Sequence, residues 1–317
     1  MTSYNKERLD DVKDLLESVS RQQTRDFELI YITERDPTLP NTIEKLASGF
    51  RLSLRIEQNN GTHGLAEARN LGLSLAAGEI VAFVDDDVVL SESWARCVIS
   101  AFDSIQNAIG ITGPAHPIWV GSPQKWFPLD FDWLIGSTRW FRTKNTVRIS
   151  NCWGMNMAFR TRELLQIGGF STTSTERSRY TREVGSLLCK EEQIGHGLMA
   201  EDVEIGLRLR SKGLGGFYYV PCMLVHNKVH HYRLSYRYIV QRSSWVGYSR
   251  RNFRRLSGYG SLNQRFEPIL IVNILRSLLG TPDLWRLGLR QNLSRYSVTL
   301  MSLSSVVVGY LLGPVYD

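Results

Sequence analysis

Ile80-Val81-Ala82-Phe83-Val84-Asp85-Asp86-Asp87 is the stretch whose reading decides the fold. Its apolar half is short, rich in β-branched residues and unbroken by charge, which reads as a buried strand of a parallel sheet. The three carboxylates that follow repel one another, so stability alone does not account for them. They stand at the carboxyl end of a strand, where open α/β sheets receive ligands. If the chain stays extended beyond Val84, side chains at i and i+2 share a face. Asp85 and Asp87 then converge on one cation while Asp86 points elsewhere. Hard oxygen donors at this density suit Mg2+ or Mn2+ held jointly with a substrate phosphate. An acidic N-terminus for a helix starting near Ser91 explains the same residues through the helix dipole. The triplet alone leaves both readings open.

Outward from this strand, the first third of the chain alternates between two periods. Leu9, Val12, Leu15, Leu16 and Val19 fall at helical spacing, and Phe27 to Ile32 reads as a strand. Residues 41–48 look helical, Leu52 to Ile56 alternates like a strand, and Asn59 to Gly64 is a turn. Leu65 to Ala77 is an Ala- and Leu-rich helix stopped by Gly78. After the Asp triplet come a helix from about Ser91 to Ser104 and a strand from Ala108 to Gly113. Strand–helix alternation of this kind predicts a doubly wound α/β sheet. Residues 117–142, rich in Trp, Pro and Phe, read as a long packed loop. Asn151 to Phe159 reads as a strand, Gly168-Gly169-Phe170 as a turn, and the Ser-, Thr- and Arg-rich residues 171–185 as a mobile segment. Ala200 to Lys212 is an amphipathic helix, followed by a strand from Gly216 to Val220, and mostly helices are expected beyond Asn227.

A chain of 317 residues, 43% of them hydrophobic, buries a sizeable core as one large domain or two smaller ones. Cys97, Cys152, Cys189 and Cys222 form no CxxC pair, which argues against a zinc ribbon or a disulfide scaffold and fits a reducing compartment. The polar opening Met1 to Lys6 does not read as a signal peptide. The net charge of +7 hides a division. Residues 1–204 hold 22 Lys and Arg against 28 Asp and Glu, a net of −6; residues 205–317 hold 16 against 3, a net of +13. A basic stretch this long implies an anionic partner: a membrane surface, a lipid phosphate or a nucleic acid.

Four features occur in one order: Arg69 in Gly64-Leu65-Ala66-Glu67-Ala68-Arg69-Asn70-Leu71-Gly72, the Asp triplet, Gly154 to Arg160 with Gly168-Gly169-Phe170, and Ala200-Glu201-Asp202-Val203-Glu204. Over roughly residues 1–230 the chain resembles the family 2 glycosyltransferases. The resemblance implies the GT-A fold, a Rossmann-like, mostly parallel sheet flanked by helices, here with a basic, helical C-terminal extension. It assigns 1–226 to the glycosyltransferase domain (1–113 the nucleotide-sugar half, 114–226 the acceptor half) and 227–317 to a membrane-associating region. Asp85 and Asp87 look like the outer residues of the DxD motif, with Asp87 the main metal ligand and Asp85 also touching the sugar nucleotide beside Asp86. Arg69 matches the ARN motif next to the nucleotide, and Thr2 and Tyr4 fall in a Thr-x-Tyr-Asn-like segment of the same site. Asp202 resembles the catalytic base of the ED motif, and Glu201, Trp153 and Asn156 resemble acceptor-side positions. His226 matches a histidine that some enzymes of this fold use as a further metal ligand.

The chain departs from the family pattern twice. The apolar strand that normally precedes Thr2 is lacking, so a central first strand is expected to be missing and sheet edges exposed. The usual acidic pair after the second strand is replaced by Thr33-Glu34-Arg35-Asp36, which leaves Glu34 as the nucleoside contact. Softer motifs, Trp126-Phe127-Pro128, Asp132 to Gly136, Val246 to Ser249 and Gly309 to Gly313, resemble archaeal enzymes of lipid-linked glycan assembly, the glucosyl-dolichyl-phosphate glucuronosyltransferase group.

The expected activity is an inverting, metal-dependent transfer of a sugar from a nucleotide-sugar, a UDP-sugar, to a polyprenyl-phosphate-linked acceptor. Glucuronic acid is the sugar the closer resemblance suggests, with Arg139 or Arg148 pairing its carboxylate. A polysaccharide or protein acceptor is the first alternative, and a silent sugar-nucleotide- or nucleic-acid-binding relative the second. No nucleic-acid motif is recognised, so none is expected as partner. Arg interleaved with Tyr232, Tyr236, Tyr238, Trp245, Tyr248 and Tyr259 suits a membrane interface. The uncharged stretch after Arg295 has the length to span a bilayer, yet its serines and Thr299 leave it free to lie in the interface or pack on the domain. The expected location is the cytoplasmic face of the cell membrane, peripheral or anchored by this segment.

Overall fold

The structure, a computed structural model, describes residues 1–3, 7–50, 52–172, 201–256 and 289–312. Tyr4, residues 173–185 of the stretch expected to be mobile, and Tyr259 lie outside them. The chain forms two compact units: Met1–His116 with Phe141–Thr173 and Ala200–Lys228, and Pro117–Trp140 with Ser174–Met199 and Val229–Asp317.

The first unit is built on β4 (Ile80–Val84), the strand that the sequence singles out. Its side chains alternate between two apolar clusters, as the two-residue period of a strand requires. Val81 and Phe83 pack with Met157, Phe159, Phe170, Ile205 and Leu209. Val84 packs on the other face with Leu15, Leu16, Tyr31, Val98, Phe102 and Ile111. A sheet covered on both faces is why β4 carries no polar residue.

Three parallel strands form one sheet in the order β1 (Thr2–Ser3), β2 (Leu29–Glu34), β3 (Leu54–Asn59). Helices α1 (Leu9–Ser20), α2 (Leu39–Ser48) and α3 (Leu65–Leu75) connect these strands and lead on to β4. α1 buries Val12, Leu15, Leu16 and Val19, the face its periodicity marks. The first strand expected to be lacking is present as a stub. Thr2 pairs with Ile32 and Ser3 with Thr33; the Ile32 N–H donates to Met1 O at 2.8 Å and the Met1 ammonium to Ile30 O at 3.1 Å. Among the described residues β1 pairs with β2 alone, so the hydrogen-bonded ladder does not continue from β1 to β4.

The second sheet runs β4, β9 (Asn156–Arg160), β6 (Ala108–Thr112), β10 (Gly216–Tyr219), β8 (Val147–Ile149). It is mixed: β9 lies antiparallel between β4 and β6, β10 is parallel to β6, and β8 is antiparallel to β10. The strictly parallel pattern therefore ends where the β–α alternation ends, after β6. Helices α4 (Trp94–Ser104), α5 (Thr161–Gln166) and α6 (Glu201–Ser211) belong to the same unit. A third sheet has the order β5 (Val88–Leu90), β11 (Val225–Val229), β7 (Ala115–Trp119). Its β5–β11 ladder pairs Val89 with His226.

The cysteine reading is corrected. Cys97 on α4 and Cys222 after β10, 125 residues apart, form a disulfide. A separation that large leaves no trace in local spacing. Cys152 is buried and free, and burial pushes its thiol well above the ordinary range.

The second unit absorbs the aromatic stretch read as a loop. Residues Leu129–Ile135 form a 3-10 helix ending at Gly136, whose φ of 71° is the left-handed conformation a glycine adopts without cost. Phe127, Phe131, Leu134 and Ile135 pack with Val229, Ile239 and Val298, the last two on α7 (Tyr236–Leu256) and α8 (Leu289–Leu312). Arg139 closes a two-pronged ion pair on buried Asp132, Nε to Oδ2 and Nη2 to Oδ1, both 2.7 Å. It is therefore committed within this unit. Arg148 lies exposed on β8, four strands from β4 in the sheet order, or about 19 Å at the usual strand spacing.

Candidate active site

The carboxyl end of β4 does not stay extended. Residues 86 and 87 form a turn before β5, which regroups the triplet. Asp86 and Asp87 share one cation, Arg8, whose Nη1 lies 3.1 Å from Asp86 Oδ1 and 3.1 Å from Asp87 Oδ2. Asp85 turns the other way, 3.2 Å from Arg69 Nη2, and is the most open of the three, its side chain 37% exposed. The expected convergence of Asp85 with Asp87 and away from Asp86 is thus revised. Burial first, then the Asp87 charge, pushes Asp86 up to about 7, and Arg8 opposes the shift.

Arg69, on the first turns of α3, is the hub. It is 5% exposed. Nη1 donates to Glu201 Oε2 at 3.1 Å, and Nη2 donates to Asp85 Oδ1 at 3.2 Å and to Gly154 O at 3.1 Å. Its guanidinium lies 5.4 Å from the centre of the Phe170 ring. Asn70, next in sequence, clamps the Gly168-Gly169-Phe170 turn by donating to Phe170 O and accepting from Phe170 N–H, both at 2.8 Å. The two motifs quoted separately from the sequence are therefore one assembly.

Asp202 enters from the first turn of α6. Its Oδ2 accepts the Gly154 N–H at 3.1 Å and its Oδ1 accepts the Val203 N–H at 2.9 Å. Gly154 joins the two halves, giving its carbonyl to Arg69 and its N–H to Asp202. A Cβ at position 154 would stand 3.6 Å from Arg69 Nη2 and 3.9 Å from Asp202 Oδ2. Residues 69, 85, 154, 201 and 202 thus meet at one place, from four separate stretches of chain. Burial is the main cause that raises the Glu201 carboxyl to about 7, with Arg69 pulling it back down. Glu204, one turn on, pairs with Arg208, which donates to Ile167 O and Gly169 O at 2.7 Å and so braces the same turn.

Other expected site residues lie in the interior. Asn156 is fully buried, and both ends of its amide are engaged: Oδ1 accepts Trp94 Nε1–H at 2.9 Å and Nδ2 donates to Met223 O at 2.7 Å. Its desolvation is compensated within the domain. Glu34 is buried, its Oε1 accepting from Asn59 Nδ2 at 2.6 Å and from Gly64 N–H at 3.1 Å. It braces the loop that starts α3. Thr2 is half-buried in β1. Trp153 is half-buried, edge-on to Phe141 and Tyr219 with ring centres 5.5 and 5.6 Å apart. Half-buried His226 lies with its ring centre 6.2 Å from that of His116.

Sequence reasoning missed Arg8, Asn70 as a clamp, and Gly154. An Arg following the Tyr-Asn segment carries no spacing signal; its role comes from a fold that sets it beside residues 78 and 79 positions away. Among the described residues, no group of three His, Cys, Asp or Glu forms a ready cage for a metal. Asp85 and Asp87 are engaged by different cations, Arg69 and Arg8, so these donors are not gathered in advance; carboxylate oxygens are the ligand type that Mg2+ or Mn2+ takes, with its remaining ligands from phosphate and water.

A mixed α/β sheet with carboxylates gathered at the end of β4 and the start of α6 defines a GT-A glycosyltransferase. Residues 1–163 match the family described as glycosyl transferase family 2, and the chain belongs to that family. It is similar to the glucosyl-dolichyl phosphate glucuronosyltransferase of Haloferax volcanii, 22% identical over 287 residues that cover 89% of this chain and 86% of the relative. Among solved structures, the mannosyltransferase PcManGT from Pyrobaculum calidifontis, in complex with GDP-Man and Mn2+, aligns with a TM-score of 0.58 and 15% identity, covering 99% of this chain and 86% of that one. That likeness supports the fold.

Proposed function

We propose that this glycosyltransferase is an inverting, metal-dependent enzyme that moves a sugar from a UDP-sugar to a polyprenyl- or dolichyl-phosphate-linked glycan, with glucuronic acid as the sugar. The observation that carries the reading is the Arg69–Gly154–Asp202 relay, which sets a carboxylate from α6 beside the carboxylates that end β4. The length over which the chain matches a dolichyl-phosphate glucuronosyltransferase supports the acceptor class and the sugar.

Asp202 is the base. Two backbone N–H groups hold its carboxylate in place. The acceptor hydroxyl gives its proton to Asp202 as its oxygen bonds to the anomeric carbon. The bond from that carbon to the diphosphate oxygen breaks on the opposite face, and the carbon inverts. A positioned base contributes about 10²–10⁴-fold in rate. Asp85 and Asp87, with His226, would hold a divalent ion, which would offset charge on the leaving diphosphate. Arg69 carries a fixed positive charge to the same junction, and Glu201, held by Arg69, orders the acceptor side with Trp153. Residues 1–226 serve donor and transfer, and 227–317 hold the enzyme peripherally at the membrane where its acceptor resides. Among the described residues, no helix is long and apolar enough to cross a membrane.

The test is a donor screen with Mg2+ or Mn2+ and a synthetic polyprenyl-phosphate-linked glucose acceptor, read by mass spectrometry. The expected product gains one hexuronic acid from UDP-glucuronic acid. Transfer only to lipid-free polysaccharide or protein overturns the acceptor class, and transfer of a neutral hexose overturns the sugar.

A further inference from the structure

Helix α8 is inside out. Apart from Val298, its buried side carries small and polar residues: Thr299, Ser302, Ser305 and Gly309, with Ser302 0% and Thr299 1% exposed. Its open side carries Leu293, Leu300, Val307, Val308 and Leu311, with Leu300 60% and Leu311 63% exposed. At 100° per residue these five fall within one stripe, joined by Ser304. A helix that packs in water does the reverse, since burial of its apolar side is what drives it onto the domain.

The partner helix brings small residues to the crossing. On α7, Ser243, Ser244, Gly247 and Ser249 are buried alongside the larger Ile239, Trp245 and Tyr248. Backbones meet directly: a Cβ at Gly247 would overlap Val306 O, and one at Gly309 would overlap Ser244 O. Small residues at a close helix crossing, with apolar side chains turned outward, is how helices pack when hydrocarbon and not water surrounds them. Arg251 Nη1 donates to Tyr310 O and Leu311 O, at 3.2 and 2.7 Å, and so covers carbonyls at the end of α8 that water would otherwise solvate.

We infer that the open stripe of α8 is a membrane-docking face that lies in the interface of an anionic bilayer, its Leu and Val side chains in the acyl region. Charge selects the occupant: residues 205–317 carry a net +13, matched to anionic headgroups, while no charged residue interrupts α8 after Arg295. At 24 residues the helix is about 36 Å long, and it lies along the surface. The inference rests on the peripheral attachment proposed above and names the surface responsible for it.

Leu300→Glu/Val307→Glu in the full chain is compared with wild type by flotation with vesicles of phosphatidylcholine and phosphatidylglycerol. Leu165→Glu, at an equally open leucine on α5, controls for added charge, and Leu300→Ile/Val307→Ile for repacking. The double Glu variant should lose at least tenfold in vesicle partitioning while both controls bind like wild type, and its sugar transfer to a short-chain acceptor in detergent should be unchanged. Vesicle binding unchanged in the double Glu variant overturns the inference. So does a wild-type dimer in lipid-free buffer that the Glu pair converts to monomer without loss of vesicle binding, since the stripe then belongs to a second copy. Failure of transfer by every variant, wild type included, strikes the functional reading and leaves the docking face standing.

Discussion

Replacing Arg69 by Met removes the charge on which the candidate site is organised, and the structure sets the size of the effect. Arg69 and Glu201 are 5% and 7% exposed, so neither charge is well solvated once alone. Breaking a buried pair from one side costs about 3–5 kcal/mol, because the remaining charge stays buried. Glu201 has an escape, since burial already raises it to about 7 and Arg69 is what pulls it down. Without Arg69 it takes up a proton more readily. The loss should therefore depend on pH: about 3–5 kcal/mol near pH 8, and about 1–3 kcal/mol near pH 5, where Glu201 is already neutral and only hydrogen bonds are forfeited. Urea denaturation at the two pH values measures this. Arg69→Met/Glu201→Gln should lose less than the sum of the single changes by at least about 1 kcal/mol near pH 8. An equal loss at both pH values, with additive single effects, refutes the reasoning.

Glu201 also gives the wild type a pH signature. Its folded value of about 7 lies above the ordinary 4.5, so between these the folded state holds a proton that the unfolded state has lost, and stability falls as pH rises through that window. The full difference is on the order of 3 kcal/mol, and Glu201→Gln should flatten that part of the urea-midpoint profile; an unchanged profile contradicts it. Asn156→Leu strands Trp94 Nε1–H and Met223 O in the interior and should cost about 2–5 kcal/mol in thermal unfolding, with the acceptor KM unchanged; a raised KM in a stable variant supports the acceptor-side role. Cys97 and Cys222 close a loop of 125 residues, so dithiothreitol should lower the urea-derived stability by about 2–5 kcal/mol, and no change on reduction shows that the bond is not formed.

The part of this fold that was legible is the part governed by local period. β4, α1, α3 and α6 each follow from apolar spacing, and the motifs on them marked the residues that the structure gathers at the candidate site. What escaped is what contact between distant stretches decides. The antiparallel insertion of β9 between β4 and β6 leaves no mark in residues 156–160, which read as a strand of either direction. The turn at Asp86 and Asp87 was hidden because acidic residues suit an extended metal site and a bend equally well, and Arg8 fixes the outcome from another strand's connection. Asn156 read as costly, and rightly so, but Trp94 and Met223 supply the compensation. Aromatic residues 126–135 read as loop because neither period fits them; their order comes from packing on α7 and α8 within the second unit.

Asp202→Asn measures the central claim most directly. The change preserves shape and leaves an oxygen to accept the Gly154 N–H, while it removes the proton acceptor. Initial rates of glycosyl transfer to a polyprenyl-phosphate-linked acceptor, with unfolding monitored in parallel, should fall by about 10²–10⁴-fold at unchanged stability. Transfer by the folded Asn variant at the wild-type rate would contradict the account.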